Sequence, residues 1–396
     1  MSKVFELIRE EKHRQTHNVQ LIASENYISD DVTLALASCF TNKYAEGYPG
    51  HRYYGGCQVV DELERYCQKK WQEVFNNHYY KVNVQPHSGT QANMAAFAAV
   101  LKPDDTILSM SLDNGGHLSH GAPASFSGKL YDVVQYNVNE NGWIDYNDIL
   151  AKIRIYRPNL VLAGASAYPR KIDFKRIYEI IIQATRDGAE HCPYFMVDMS
   201  HIAGLVATGE HPSPFGYADI ITTTTHKTLR GPRGGLIFSR PELAHQINSA
   251  VFPNIQGGPH MNVIAAKAVC AEEACTKEFK QYIHDVVENT RAMADEFKKM
   301  GYKLATDGTD NHLFLIDFSE THPHITGKMV QECLDEHGIS VNKNMVPGDK
   351  RKPNETSGIR IGCAAMTTRG WDKDRFITCA QSIDTLINKL EEDHKV

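Results

Sequence analysis

The fold is decided by the stretch Ile220-Ile221-Thr222-Thr223-Thr224-Thr225-His226-Lys227-Thr228-Leu229-Arg230-Gly231-Pro232-Arg233-Gly234-Gly235-Leu236-Ile237-Phe238. Because side chains branched at Cβ suit a pleated backbone, the run from Ile220 to Thr225 predicts a strand. The glycines that follow predict a loop, since a helix interior rarely carries them, and a second strand begins at Leu236. Lys227 therefore lies just past a strand end. If it is buried there, it loses its proton and becomes an amine nucleophile toward an aldehyde; the alternative is an ordinary solvated lysine.

Short apolar segments alternate with helical segments over much of the chain. Alternation of this kind predicts an α/β fold with a mainly parallel sheet and helices on both faces. The predicted strands are Thr106–Met110, Tyr131–Tyr136, Leu160–Ala163, Tyr194–Val197, Ile220–Thr223 and Leu236–Phe238.

Three parts are predicted along the chain: an N-terminal helical arm over 1–20, a large domain over 21–273 and a smaller α+β domain over 274–396. One long helical stretch, from about Asn262 to Met300, is expected to link the two domains.

An aldehyde cofactor such as pyridoxal phosphate needs a carboxylate at its ring nitrogen, a platform for its ring and a cradle for its phosphate. Asp198 follows the apolar core of a predicted strand and is a candidate for the carboxylate, although an aspartate there is also a common cap or turn residue. Ser88, Gly89 and Thr90 precede an apolar helix, whose free N–H groups bind anions; an ordinary N-cap has the same spacing. His117 lies in a glycine-rich loop and could stack on the ring, or could be a surface histidine.

As a set, these segments resemble the serine hydroxymethyltransferase family, a pyridoxal-phosphate-dependent family of fold type I. The resemblance covers roughly residues 20 to 370 and is specific, because several of the matching strings are long and rare. It implies a large domain with a mainly parallel seven-stranded sheet and a smaller C-terminal domain. The matching strings include 21–27, 41–50, 52–57, 85–93, 115–121, 222–235, 257–259, 341–344 and 357–360.

The resemblance also implies a role for each cofactor residue. Lys227 would form the Schiff base with the cofactor, Asp198 would pair with its ring nitrogen, and His117 would stack on its ring. His201 would bond near the phenolate oxygen. The phosphate would be held by Ser88, Gly89 and Thr90, and across a dimer interface by Tyr44 and Gly258; further cofactor contacts are expected from Ser166, Thr224, His226 and Gly257.

For the substrates, the resemblance implies reversible conversion of L-serine and tetrahydrofolate to glycine and 5,10-methylenetetrahydrofolate. Arg360 would clamp the amino-acid carboxylate, assisted by Ser24, because a planar guanidinium suits a carboxylate. Glu46 and Tyr54 would come from the partner subunit of a homodimer, with Glu46 moving protons. The folate would lie along Leu112, Gly116, Leu118 and Asn344.

The sequence departs from the family's usual pattern in three segments, each near an expected site. Pro169 stands where many relatives have serine, and Ser200 replaces the alanine of the usual Asp-Met-Ala-His string. Gly362-Cys363-Ala364-Ala365 stands where Gly-Thr-Pro-Ala is common, beside the expected carboxylate clamp. The N-terminal arm also starts later than in many relatives, so a tetramer is the assembly that this change would affect most.

The composition of the chain argues against several classes of function. The chain has 396 residues, a formal net charge of −6 and a pI near 6.3, so no basic excess favours nucleic acid as a partner. No apolar stretch is long enough to cross a bilayer, and the N-terminus is not signal-like, which favours the cytoplasm. The nine cysteines and the histidines show no complete ligand spacing, so no metal is expected.

Two other functions remain open from the sequence. One is a folate-independent aldolase on the same scaffold, which would cleave threonine or allo-threonine to glycine and acetaldehyde. The other is a catalytically silent scaffold, or an RNA-contacting protein, that keeps the fold. The presence of Lys227, Asp198 and Arg360 argues against the silent protein, and Glu46, Tyr54 and Asn344 favour the folate reaction.

Overall fold

The structure is a computed structural model that describes residues 2–187 and 192–395. In chain order, the strands of this part of the chain are β1 (Val19–Gln20), β2 (Gly47–Tyr48), β3 (His51–Arg52), β4 (Lys81–Asn83), β5 (Thr106–Met110), β6 (Asp132–Tyr136), β7 (Leu160–Ala163), β8 (Tyr194–Asp198), β9 (Ile220–Thr224), β10 (Gly235–Ser239), β11 (Lys303–Leu304), β12 (Leu313–Asp317), β13 (Ile339–Ser340), β14 (Asn342–Asn344) and β15 (Gly358–Gly362).

The α-helices in the same residues are α1 (Lys3–His17), α2 (Asp30–Leu36), α3 (Gln58–Val74), α4 (Gly89–Val100), α5 (Phe126–Leu130), α6 (Tyr146–Tyr156), α7 (Phe174–Arg186), α8 (Ala203–Thr208), α9 (Ala244–Ser249), α10 (Met261–Ala274), α11 (Lys277–Lys299), α12 (Gly327–Glu336), α13 (Ala364–Thr368) and α14 (Lys373–Asp393). Among the described residues, none of these helices has both the length and the apolar character of a membrane span.

A seven-stranded sheet carries the large part of the molecule, in the order β4-β10-β9-β8-β7-β5-β6. The strands from β9 to β6 are parallel to one another, whereas β10 runs antiparallel to both β9 and β4. The predicted α/β fold with a mainly parallel seven-stranded sheet is therefore confirmed. β4 was not among the strands predicted from the sequence.

Helices cover both faces of this sheet, because successive side chains of a strand point to opposite faces. In β7, Leu160 and Leu162 pack into a core with Phe97 of α4. Val161 and Ala163 pack into a second core on the other face, which α3, α7 and α10 complete. Because both faces of the sheet are buried, the sequences of these strands are continuous hydrophobic runs.

The C-terminal part is built on a four-stranded antiparallel sheet in the order β11-β12-β15-β14. Its own core contains Phe297, Phe314 and Ile383, and also Leu21 from the far end of the chain. β1 joins the same part through parallel pairing with β13. The domain boundaries inferred from the sequence stay a prediction.

The long helical stretch expected from Asn262 to Met300 is instead two helices, α10 and α11. The break lies at Cys275 and Thr276, where the Thr276 hydroxyl accepts a hydrogen bond from the backbone N–H of Phe279 and caps α11. Such a cap replaces an intrahelical partner, so a new helix axis can begin there.

Candidate active site

The carboxyl ends of β8 and β9 bring Asp198 and Lys227 to one cavity of about 380 Å³. These strands are parallel neighbours, so their carboxyl ends meet at the same edge of the sheet, where open α/β sheets bind ligands. Twelve residues expected from the sequence line the cavity: Ser24, Ser88, Gly89, Thr90, His117, Ser166, Asp198, His201, Thr224, His226, Lys227 and Arg360.

The Asp198 carboxylate accepts four hydrogen bonds. Its Oδ2 accepts from Asn93 Nδ2 at 2.8 Å and from His120 Nε2 at 3.0 Å. Its Oδ1 accepts from the backbone N–H of Ser200 at 3.0 Å and from the Ser200 hydroxyl at 2.6 Å. A carboxylate held by this many donors has one orientation, because no oxygen is left without a partner.

The ionised form of Asp198 is the stable one in this site. Burial alone would raise the pKa of this carboxyl, but the hydrogen bond from His120 and the nearby positive charge of Lys227 lower it below its ordinary value. The group is therefore a carboxylate at neutral pH. It can stabilise a positive charge placed in the cavity.

Lys227 is buried, with 8% of its surface exposed. Burial lowers the pKa of its ammonium to about 8; Asp198 opposes this change, and Arg360 and Arg233 add to it. A lysine with this pKa carries a substantial neutral fraction near physiological pH, as amine nucleophiles require.

His117 lies above the same cavity as a neutral ring. Burial lowers the pKa of its imidazole to about 4. The ring Nδ1 accepts a hydrogen bond from the backbone N–H of Ser119 at 3.1 Å and lies 2.7 Å from the Ser119 hydroxyl. That hydroxyl accepts from Asn93 Nδ2 at 2.9 Å, so Asn93 connects His117 to Asp198. An uncharged, fixed imidazole is suited to stacking on an aromatic ligand.

The start of α4 forms an anion cradle beside the end of β9. Ser88 is the N-cap, and its hydroxyl accepts from the backbone N–H of Gln91 at 3.3 Å. A Cβ atom at Gly89 would lie 2.6 Å from Cγ2 of Thr224, so only glycine allows this close approach. Free N–H groups at a helix start attract anions.

Arg360 lies on β15 and lines the cavity, and only part of its guanidinium is hydrogen-bonded. Nη1 donates to the Ser166 carbonyl at 2.6 Å and Nη2 donates to Asn342 Oδ1 at 2.9 Å. Nε is buried and has no hydrogen-bond partner among the described residues. Burial lowers the pKa of this guanidinium to about 10, which leaves it charged at neutral pH. It can bind a carboxylate.

A second cavity of about 230 Å³ adjoins the first, and both are lined by His117 and Ser166. All four residues expected to line a folate site border it: Leu112, Gly116, Leu118 and Asn344.

The remaining expected residues gather elsewhere on the surface of the same chain. Tyr44 packs against Gly258, where an added Cβ would lie 2.9 Å from the Tyr44 ring. The rings of Tyr44 and Tyr54 are 5.2 Å apart, and a Cβ added at Gly257 would lie 3.4 Å from Glu46 Oε1. None of these five residues borders the Lys227 cavity of its own chain. Their contribution across a dimer interface stays a prediction.

A family model described as serine hydroxymethyltransferase matches residues 1–383. The chain belongs to the serine hydroxymethyltransferase family. Members of this family are pyridoxal-phosphate-dependent one-carbon transferases that act on serine and glycine and use tetrahydrofolate as co-substrate.

The cavity fits the family's cofactor on independent structural grounds. Four residues that line it have a buried polar atom without a hydrogen-bond partner within the described chain: His120 Nδ1, Thr224 Oγ1, His226 Nδ1 and Arg360 Nε. Unpaired buried polar groups are costly, so a polar ligand is expected to satisfy them. Lys227 suits the aldehyde, Asp198 the ring nitrogen, and the α4 start the phosphate of pyridoxal phosphate.

The sequence predicted no role for several residues that line this cavity or hold Asp198. Asn93 and His120 lie inside strings that carry the family resemblance, yet nothing local shows that their side chains reach Asp198. Arg233 lies in the lysine stretch and lines the cavity. Ser200 was noted only as a departure from the family pattern. The residues that line the cavity without having been expected are Glu25, His120, Ala165, Ser200 and Arg233.

Proposed function

We propose that this chain catalyses the reversible conversion of L-serine and tetrahydrofolate to glycine and 5,10-methylenetetrahydrofolate. The observation that carries the proposal is that two neighbouring cavities share His117 and Ser166 in their linings. One cavity has the lysine and carboxylate that the cofactor needs, and the other has the expected folate residues.

In this proposal the amino acid is oriented by its carboxylate. Arg360 presents the unpartnered Nε–H, and its two other bonds, to Ser166 and Asn342, hold the guanidinium plane. Ser24 borders the same cavity and adds a hydroxyl donor. Fixing the carboxylate selects which bond of the α-carbon faces the cofactor, which is a positioning effect.

Bound pyridoxal phosphate supplies an electron sink for the pair of electrons released at the amino acid's α-carbon. Asp198 keeps a proton at the ring nitrogen, because its own pKa lies below the ordinary value and the shared proton stays off the carboxylate. His117 covers one side of the site and excludes water. Lys227 would hold the aldehyde of the cofactor in the absence of substrate.

Glu46 is proposed to move protons at the serine hydroxyl and the folate-derived carbon, with Tyr54 beside it. Both lie outside the cavity of their own chain, so the proposal includes a homodimer in which each subunit completes its partner's site. Tyr44, Gly257 and Gly258 lie in the same surface group and would complete the phosphate site.

The test measures glycine formation from serine by the pyridoxal-phosphate-loaded protein, with and without tetrahydrofolate. Turnover that depends on tetrahydrofolate is expected. Asn344→Ala should weaken folate-dependent transfer at least about tenfold and leave glycine binding within about twofold, because Asn344 borders only the second cavity. The control is Asn388→Ala on α14.

Two outcomes would overturn the proposal in different ways. Cleavage of threonine or allo-threonine to acetaldehyde, together with no effect of tetrahydrofolate on serine, would make the protein an aldolase. A protein that never takes up pyridoxal phosphate would be a silent scaffold.

A further inference from the structure

We propose that Arg52 is a positioning residue that fixes the loop carrying Glu46, and that folate-dependent transfer depends on it for this reason. The inference rests on the proposed function, because it concerns the same proton-transfer group. Arg52 itself borders neither the Lys227 cavity nor the second cavity of its own chain.

The first observation is that one guanidinium nitrogen holds both neighbours of Glu46. Arg52 Nη1 donates to the carbonyl of Ala45 at 2.8 Å and to the carbonyl of Gly47 at 2.8 Å. The Glu46 carbonyl accepts from the backbone N–H of Tyr53 at 3.1 Å. The backbone around Glu46 is therefore fixed on both sides, while its side chain is only half-buried.

The second observation is that the same guanidinium is anchored to a long helix. Arg52 Nε donates to Asp61 Oδ1 at 2.8 Å, and Nη2 donates to Glu64 Oε2 at 2.6 Å, both on the 17-residue α3. The side chains of Arg52 and Glu64 are 3% and 0% exposed. A planar fork can serve two carboxylates and two carbonyls at once, which a point charge cannot.

A third contact connects this cluster to the cofactor side of the fold. Gln85 Nε2 donates to the Gly47 carbonyl at 3.0 Å and to Glu64 Oε1 at 2.9 Å. Gln85 lies immediately ahead of the loop that leads into Ser88. The polar cluster of Arg52, Glu64 and Gln85 therefore contacts both the loop that carries Glu46 and the segment that leads from β4 to Ser88.

Stability alone does not explain such a cluster. Taking a guanidinium and a carboxylate out of water is costly, and apolar residues of similar size often replace a buried ion pair without loss of stability. What the apolar pair cannot supply is the two bonds to the carbonyls of Ala45 and Gly47. The charged Arg52 therefore serves to orient Glu46. A displacement of a catalytic group by about 1 Å is enough to slow a reaction by orders of magnitude.

The experiment compares Arg52→Lys with Arg65→Lys, a matched change at an exposed arginine on α3 that also pairs with Asp61. In the pyridoxal-phosphate-loaded protein, Arg52→Lys should lower kcat for folate-dependent serine turnover about tenfold or more. The KM for serine and the dissociation constant for glycine should stay within about twofold. Arg65→Lys should change none of these. If Arg52→Lys does not fold, the double variant Arg52→Met with Glu64→Met replaces it, because it leaves no buried charge at these two positions unpaired.

The decisive measurement is a double-mutant cycle with Glu46→Gln. If Arg52 acts through Glu46, Arg52→Lys should cause no further loss of kcat in the Glu46→Gln background. A full additional loss there would overturn the positioning role, and so would normal kcat in Arg52→Lys itself. If Glu46→Gln alone leaves folate-dependent transfer unchanged, both the role of Glu46 and this inference fail. A loss in Glu46→Gln without a loss in Arg52→Lys removes only the inference.

Discussion

The Ser200 hydroxyl donates a hydrogen bond to Asp198 Oδ1 across 2.6 Å. Ser200 Oγ also accepts a hydrogen bond from the backbone N–H of Thr224 at 3.0 Å. One side chain therefore joins the carboxylate at the end of β8 to the end of β9. An alanine, the residue that the family resemblance led us to expect, has no hydroxyl and can make neither of these bonds.

We predict that Ser200→Ala lowers the stability of the protein. The substitution leaves the buried N–H of Thr224 without an acceptor, which costs about 1–3 kcal/mol of unfolding free energy. Urea unfolding of the apoprotein measures this loss. Ser382→Ala, at an exposed hydroxyl on α14, is the control and should be nearly neutral. Equal midpoints for the two variants would contradict the prediction.

A second prediction concerns which lysine binds the cofactor. Burial lowers the pKa of both Lys227 and Lys267 to about 8, so the pKa does not distinguish them. The ammonium of Lys267, however, donates to the carbonyls of Val84, Pro86 and Gly235 at 2.7, 2.9 and 2.9 Å. Borohydride reduction of the loaded protein should therefore attach the cofactor to Lys227 alone.

Peptide mapping by mass spectrometry reads out the attachment site. Lys227→Ala should abolish both labelling and serine turnover. Label on Lys267, or label retained in Lys227→Ala, would show that access to the aldehyde is not set by these hydrogen bonds.

A third prediction follows from the pKa of Lys227. The neutral amine is the reactive form, so its fraction falls about tenfold for each pH unit below a pKa of about 8 and levels off above it. The rate at which the apoprotein forms its covalent bond with pyridoxal phosphate should follow the same curve between about pH 6 and about pH 10. A solvated lysine would instead give a rate that still rises toward a pKa near 10.4.

A fourth prediction tests the anion cradle. A Cβ at Gly89 would lie 2.6 Å from Thr224 Cγ2, and overpacking of this kind costs about 1–3 kcal/mol. We expect Gly89→Ala to weaken pyridoxal phosphate binding about tenfold, measured by equilibrium titration. Adding Thr224→Ser removes Cγ2, keeps the hydroxyl and should restore most of the affinity. No recovery in the double variant would mean that the clash is not the cause.

Local pattern in the sequence was enough for much of the central sheet. Thr106–Met110 and Leu160–Ala163 are strands with the predicted bounds. They could be predicted because runs of apolar and β-branched residues favour the extended backbone of a strand. β4, at Lys81–Asn83, has only three residues and too little pattern to be recognised. The division of Asn262–Met300 into two helices also depends on one threonine cap, which a hydrophobic period does not reveal.

The sequence by itself determined the fold class, the family and the residue types of the site, because strand and helix patterns and rare motif strings are properties of neighbouring residues. Only the tertiary structure decided which atoms meet: that Asn93 and His120 hold Asp198, that Ser200 ties it to Thr224, and that Arg52 clamps the carbonyls beside Glu46. The physical reason is that Asn93 and His120 are far from Asp198 in the chain, as Ser200 is from Thr224, and that the Arg52 contacts depend on the path of the backbone between Ala45 and Arg52. Their distances follow from strand order and packing, which no local stretch of sequence contains.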